Sequence, residues 1–246
     1  MSSEEIREQI CWSGSSALHE AARKRGTEIA RLLIDHGINI NLQNVDGSTA
    51  LHEAALNGQT EIVRLLIDRG IDINLPKKNG STALHNAAWS GQTEIVRFLI
   101  VRGININLQN EDGSTALHKA AWSGQSDIFR LLIDHGININ LQNEDGSTAL
   151  HLAVSNGQTE IVTLLIDRGI DIHLPKNDGS SALHGATLSG QTEIVGLLVD
   201  RGININLQNE NSSTALHLTA LHERTDIVRL LFDDRININL QKKLSG

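Results

Sequence analysis

The sequence predicts an all-α solenoid, in which antiparallel helix pairs stack and a hairpin-like loop projects from each pair. The segment Ser48-Thr49-Ala50-Leu51-His52 recurs along the chain, and its histidine returns seven times at a constant spacing of 33 residues. A fixed period of this length is typical of repeat proteins whose units share one continuous core. The recurring histidines are His19, His52, His85, His118, His151, His184 and His217.

The period divides the 246-residue chain into three parts. Residues 1–13 are predicted to be an N-terminal cap segment, with a short polar helix over residues 4–10 that places Ile6 and Ile10 on one face. Residues 14–241 are predicted to form seven repeats in one elongated domain, and residues 242–246 a C-terminal tail. The repeats span residues 14–44, 45–77, 78–110, 111–143, 144–176, 177–209 and 210–241.

Each repeat begins with a short helix, as the second repeat illustrates. Thr49 is a good N-cap, because its side-chain oxygen can accept a hydrogen bond from the first turn. Leu51, Ala54 and Ala55 fall at i, i+3 and i+4, which predicts one buried stripe. Gly58 is expected to end this helix in the left-handed conformation.

The second helix of the repeat follows at once. Glu61 is well placed at the positive end of the helix dipole, and Ile62, Leu65 and Leu66 predict the buried face. Gly70 is expected to end it, and the chain then runs into an alternating apolar and polar loop that turns at Asn79-Gly80.

The two terminal repeats depart from this pattern. Arg25 and Glu223 stand where the inner repeats carry glycine after the first helix, and Arg235 replaces glycine after the last one. A left-handed non-glycine residue costs about 1 kcal/mol. We therefore expect the last turn of the array to deviate or fray.

The repeated motif resembles that of the ankyrin repeat family. The segment Thr49-Ala50-Leu51-His52-Glu53-Ala54 is similar to the family's Thr-Pro-Leu-His-x-Ala, with alanine in place of proline in all seven repeats. The resemblance covers the chain from about Trp12 to about Gln241. It implies stacked helix pairs with projecting finger loops, and a concave face on which partners bind.

Composition excludes several classes of partner and compartment. The formal net charge of −8 disfavours nucleic acid and anionic membranes, which require a basic face. The single cysteine, Cys11, rules out an internal disulfide framework and favours a reducing compartment. The first five residues lack a secretory signal, and no apolar run approaches 18 residues. We expect a cytoplasmic monomer.

The recurring histidines suggest metal binding at first sight. Zinc requires imidazoles converging within about 2.1 Å of one ion, whereas packed helices lie about 8–10 Å apart. One histidine per repeat therefore places neighbouring imidazoles too far apart to share a metal. In the ankyrin family this histidine is structural, and we predict neither a metal nor a cofactor here.

Nucleophilic catalysis has no support either. The Asp-Gly-Ser segments recur with the repeat and are explained by turn chemistry. Cys11 has no adjacent histidine to lower its pKa, and there is no phosphate-binding Gly-rich motif. We predict that the chain is not an enzyme.

The resemblance implies that partner contacts come from variable positions at the end of each first helix. These positions are unusually apolar, and tryptophan is enriched in binding hot spots. The alternative is that each indole packs over the neighbouring serine and finger. The predicted apolar contacts are Leu56, Trp89, Trp122, Leu188 and Leu221.

Charged positions flank the apolar ones. The middle fingers are acidic, and arginines recur where the second helices end. Together with the apolar positions they suggest a protein or peptide partner with hydrophobic anchors and basic residues. For the charges alone, a merely solvated face is the simpler explanation. The predicted charged contacts are Arg69, Arg102, Glu111, Asp112, Glu144 and Asp145.

These patterns predict a non-catalytic protein–protein interaction module. The alternative is an engineered or reconstructed scaffold with no native partner. The absence of tyrosine favours the scaffold. Against it, the loop at residues 71–77 returns at 170–176, which indicates a three-repeat block duplicated whole rather than one unit repeated uniformly.

Overall fold

The computed structural model describes residues 16–232 and 236–241, and this part of the chain contains helices, turns and no strands. The predicted cap helix, Arg235 and the C-terminal tail lie outside the described residues. The helices are α1 (Ala17–Arg23), α2 (Thr27–Asp35), α3 (Ala50–Leu56), α4 (Thr60–Asp68), α5 (Ala83–Trp89), α6 (Thr93–Val101), α7 (Ala116–Ser123), α8 (Ser126–Asp134), α9 (Ala149–Ser155), α10 (Thr159–Asp167), α11 (Ala182–Leu188), α12 (Thr192–Asp200), α13 (Ala215–Leu221) and α14 (Thr225–Leu231).

The chain divides into two compact units, which we call the first unit (residues 1–137) and the second unit (residues 138–246). In the first unit, α1, α3, α5 and α7 pack in succession, as do α2, α4, α6 and α8. In the second unit, α9, α11 and α13 pack in succession, as do α10, α12 and α14. The predicted all-α stack of helix pairs is therefore confirmed within each unit.

The helices lie where the apolar periodicity placed them. In α3, Leu51 is 1% exposed and the two alanines that follow it are completely buried. In α4, Ile62 is 1% exposed and Leu66 is completely buried. Because alanine carries only a methyl group, successive first helices can approach closely, and the repeats share one core within a unit.

The turn after each first helix needs a left-handed residue. Gly58 has φ of 69°, and a Cβ at this position would lie 2.6 Å from Oε1 of Gln92. Arg25 and Glu223 adopt the same conformation, with φ of 62° and 54°. The turn at Glu223 is therefore formed although glycine is missing, and Glu223 bears the backbone strain of the left-handed conformation.

We expect Arg25→Gly to raise the free energy of unfolding by about 1 kcal/mol, because glycine occupies the left-handed region without a Cβ penalty. The measurement is the urea midpoint of the whole chain. Gly58→Ala is the matched control and should lower that midpoint. An unchanged or lower midpoint for Arg25→Gly would contradict the expectation.

Candidate partner-binding surface

The repeated histidine links each first helix to the finger that follows. In the second repeat, the backbone N–H of Thr49 donates to Nδ1 of His52 at 3.1 Å, and the Thr49 hydroxyl lies 2.9 Å from the same atom. Because Nδ1 accepts, Nε2 carries the proton. It donates to the carbonyl of Ser81, 3.2 Å away in the next repeat.

The same contacts recur along the chain. In all seven repeats the cap residue N–H donates to histidine Nδ1 at 3.0–3.2 Å. Nε2 lies 2.8–3.2 Å from a serine carbonyl of the next repeat in His19, His52, His85 and His184. Both ring nitrogens of each of these four imidazoles are therefore engaged in hydrogen bonds that join neighbouring repeats and cap the first helix.

Burial keeps the imidazoles of His52, His85 and His184 neutral. It lowers the pKa of His52 and of His85 to about 4, and the serine carbonyl that accepts from each ring opposes this only in part. Burial likewise lowers the pKa of His184. Among the described residues, no group of three or more His, Cys, Asp or Glu side chains could hold a metal ion.

The fingers of a unit are joined by a second series of hydrogen bonds. The side-chain oxygen of Asn41 accepts from the backbone N–H of Asp72 at 2.9 Å, and Asn74 accepts from Asn105 at 3.0 Å. The second unit repeats this contact from Asn140 to Asp171 at 2.9 Å and from Asn206 to Asn237 at 2.7 Å. These bonds fix the spacing of the loops that flank the first helices.

The predicted apolar contacts are exposed, and they divide between the two units. In the first unit, Leu56, Trp89 and Trp122 are 40%, 46% and 48% exposed at the ends of α3, α5 and α7. In the second unit, Leu188 and Leu221 are 51% and 71% exposed at the ends of α11 and α13. About half of each indole packs against the protein, and the other half faces outward.

The predicted acidic positions lie in the fingers and are exposed. Glu111 and Asp112 belong to the first unit, and Glu144 and Asp145 to the second. Partial burial raises the pKa of Asp145, but a hydrogen bond from Lys176 at 3.0 Å and bonds from Ser147 outweigh it and lower the pKa overall. Asp145 is therefore ionised at neutral pH.

The predicted arginines lie at the ends of second helices, where they join neighbouring repeats. Arg69 pairs with Asp35 of the preceding repeat, and Arg102 pairs with Asp68 at 2.8 Å. In the second unit, Arg201 pairs with Asp167 in the same register at 3.0 Å. Such exposed pairs contribute about 0–1 kcal/mol each. These contacts indicate that Arg69 and Arg102 help to hold neighbouring repeats together.

Sequence reasoning missed two features. Two guanidinium groups lie over the ring of Phe98, with Cζ of Arg64 4.8 Å and Cζ of Arg102 4.5 Å from its centroid. A cavity also opens beside Gly185 in the second unit. The signal for the cavity is a break in the repeat, since the equivalent residues elsewhere are Glu20, Glu53, Asn86, Lys119, Leu152 and Leu218.

Comparisons with known proteins agree with this architecture. The family profile described as "Ankyrin repeats (3 copies)" matches residues 2–77, 18–110, 75–143, 137–209 and 168–242. The crystal structure of the human ASB11 ankyrin repeat domain is similar, with a TM-score of 0.80 and 26% identity, over 88% of this chain and 98% of that one. No curated protein matched the chain significantly. In the described part of the chain, no helix is long and apolar enough to span a membrane.

Proposed function

Because this chain belongs to the ankyrin repeat family, we propose that it is a non-catalytic module that binds a protein or peptide along its first helices and fingers. Ankyrin repeats are in general protein–protein interaction modules and are typically not enzymes. The observation that carries the proposal is the pair of half-exposed indoles, Trp89 and Trp122, at equivalent positions of adjacent repeats.

The two indoles are held on a rigid support. Trp89 ends α5 and Trp122 lies in the last turn of α7, and these two helices pack directly on each other. The histidine bond from His85 to the Ser114 carbonyl, at 3.0 Å, fixes the finger between them. A preorganised pair of aromatic anchors loses little conformational entropy on docking. Tryptophan is also the residue type most enriched among binding hot spots.

The chemistry of the partner follows from the charges near this surface. Glu111 and Asp112 are exposed on the finger between α6 and α7, and the chain carries a net charge of −8. We infer a protein or peptide with hydrophobic anchors and basic residues, and neither nucleic acid nor an anionic membrane. The single cysteine supports a reducing, cytoplasmic setting. We propose a monomer.

Capture of a partner from cell lysate tests the proposal. We expect the native chain to retain a protein whose affinity falls at least about thirtyfold in the Trp89→Ala/Trp122→Ala double variant, the loss typical of a hot-spot residue. Val101→Ala is a control that also removes an exposed apolar side chain, at a position outside the predicted contacts. Equal retention by the double variant and the native chain would refute the assignment of the indoles.

The second candidate is an engineered or reconstructed scaffold without a native partner. The observation that favours it is the absence of tyrosine from 246 residues. It requires all repeats to melt together and no protein to be retained in the capture experiment.

A further inference from the structure

A cavity of about 320 Å³ opens in the second unit among α9, α11 and α13. Val154, Leu188 and Leu218 provide apolar walls, while His151 and Asp178 add polar groups. A volume of this size lies at the lower end of small-ligand sites in proteins.

Gly185 accounts for the open space. It is the only one of the seven equivalent first-helix positions that carries no side chain. A Cβ built on Gly185 would meet its nearest neighbour, Cγ1 of Val154, at 3.5 Å, which is ordinary van der Waals contact. The site therefore accepts a side chain without steric conflict, and glycine leaves a gap that nothing else fills.

A buried donor without a partner borders this gap. His151 is 5% exposed, and its Nδ1 accepts from the Thr148 N–H at 3.2 Å, so that Nε2 carries the proton. In this repeat Nε2 makes no hydrogen bond, although the equivalent atom of His184 donates to Ser213. An unsatisfied buried donor costs free energy. Occupation of the cavity by an acceptor would recover that cost.

The polar groups beside His151 supply acceptors. The Ser180 carbonyl accepts from the Lys176 N–H at 2.9 Å, and its weak attraction for His151 falls short of the hydrogen bond that the histidine makes to the equivalent carbonyl in other repeats. The carboxylate of Asp178 accepts from the Ser180 N–H at 2.9 Å. Burial lowers the pKa of His151 to about 4, and the Ser180 carbonyl is the smallest of the opposing influences. The histidine is therefore a neutral donor at physiological pH.

The polar groups at the cavity require both an acceptor and a donor from a ligand. Lys176 pairs with Asp145, which lies outside the cavity lining, at 3.0 Å, so Asp178 is the one carboxylate among the lining residues. An anion would be repelled by Asp178, and a cation would offer no acceptor to Nε2–H of His151. A neutral group that both accepts and donates matches both side chains.

We propose that this cavity binds a primary carboxamide on an aliphatic stem, as a glutamine side chain of a peptide presents it. The amide oxygen accepts from Nε2–H of His151, and the amide N–H₂ donates to Asp178 or to the Ser180 carbonyl. The methylene groups contact Val154 and Leu188. Presentation by a protein partner rests on the proposed function, whereas recognition of the carboxamide does not.

The test is a titration of the full chain, labelled for nuclear magnetic resonance, with N-acetylglutamine N-methylamide. We expect saturable shifts of the Gly185 amide and the His151 ring, with a Kd of about 1–10 mM for so small a probe. The matching glutamate and norleucine derivatives should bind at least about tenfold more weakly, because one is charged and the other lacks the acceptor.

Gly185→Leu fills the cavity, and it should abolish the shifts of the His151 ring while the urea midpoint stays the same or rises, since leucine is the better helix former. Gly196→Leu, a glycine substitution in α12 outside the cavity lining, should leave the titration unchanged. Absence of saturable shifts, equal binding of the three probes, or full binding by Gly185→Leu would overturn the proposal. If the carboxamide probe binds as expected but no protein is captured in a tryptophan-dependent way, only the proposed function would be overturned.

Discussion

Acidification from about pH 7 to about pH 4 is expected to remove about 3 kcal/mol of stability for each of the deeply buried histidines. Burial lowers the folded-state pKa of His52, His85 and His151 from 6.5 to about 4. Between these values the unfolded chain binds protons that the folded chain does not, so the free energy of unfolding falls as the pH falls. The contribution is complete above about pH 6.5 and is lost by about pH 4.

The measurement is chemical denaturation at a series of pH values. Since folded domains are stable by about 5–15 kcal/mol, three such histidines are enough to unfold most of the array near pH 4. A stability that stays constant between pH 7 and pH 4.5 would contradict the expectation.

A single substitution isolates one histidine of the series. Glutamine at the third helical position can still accept from the cap residue, as in a capping box, but it cannot titrate. We therefore expect His85→Gln to reduce the acid-induced loss of stability by about 3 kcal/mol relative to the native chain. An unchanged pH dependence of stability in this variant would show that His85 does not contribute to the acid-induced loss.

Truncation of one buried isoleucine is expected to lower the free energy of unfolding by an amount similar to the acid-induced loss from one buried histidine. Ile62→Ala should lower the free energy of unfolding by about 2–5 kcal/mol, because it removes a fully buried side chain and leaves a cavity. Ile62 is 1% exposed on α4, which packs against both α2 and α6. The urea midpoint of the whole chain reports the change.

The first repeat offers the matched control at Ile29, the equivalent residue of α2. Ile29 is 57% exposed, so Ile29→Ala should cost less than about 1 kcal/mol. Ile227 of the last repeat is completely buried, and its helix α14 packs against α12 of the preceding repeat. A similar loss from Ile29→Ala and Ile62→Ala would contradict the expectation.

Much of the fold could be predicted from the sequence, because residues close together in each repeat specify its helices and turns. Leu51 and Ile62 mark helix faces by their spacing, and Gly58 marks the turn between the helices. The histidine recurs at the third helical position, where its ring can reach back to the cap residue, so its contacts follow from the local geometry. The exposed positions of Trp89 and Trp122 also follow from their place beyond the buried alanines.

Other features depend on which neighbour is present. Ile29 and Ile62 occupy the same position of the repeat, yet Ile29 is exposed whereas Ile62 is buried on α4, which packs against α2 of the preceding repeat. Phe98 stands where the second repeat has Leu65, but the guanidinium groups of Arg64 and Arg102 both lie over its ring.

The features of the candidate site also divide into those that follow from the local sequence and those that depend on neighbouring repeats. The sequence by itself determined the seven helix pairs and the apolar ends of the first helices, because helical periodicity and capping are set by residues a few positions apart. Only the tertiary structure decided that Arg69 and Arg102 pair across repeats, and that Gly185 leaves a cavity beside the unpaired Nε2 of His151. Those outcomes depend on distances between residues about 33 positions apart, which the packing of successive repeats sets.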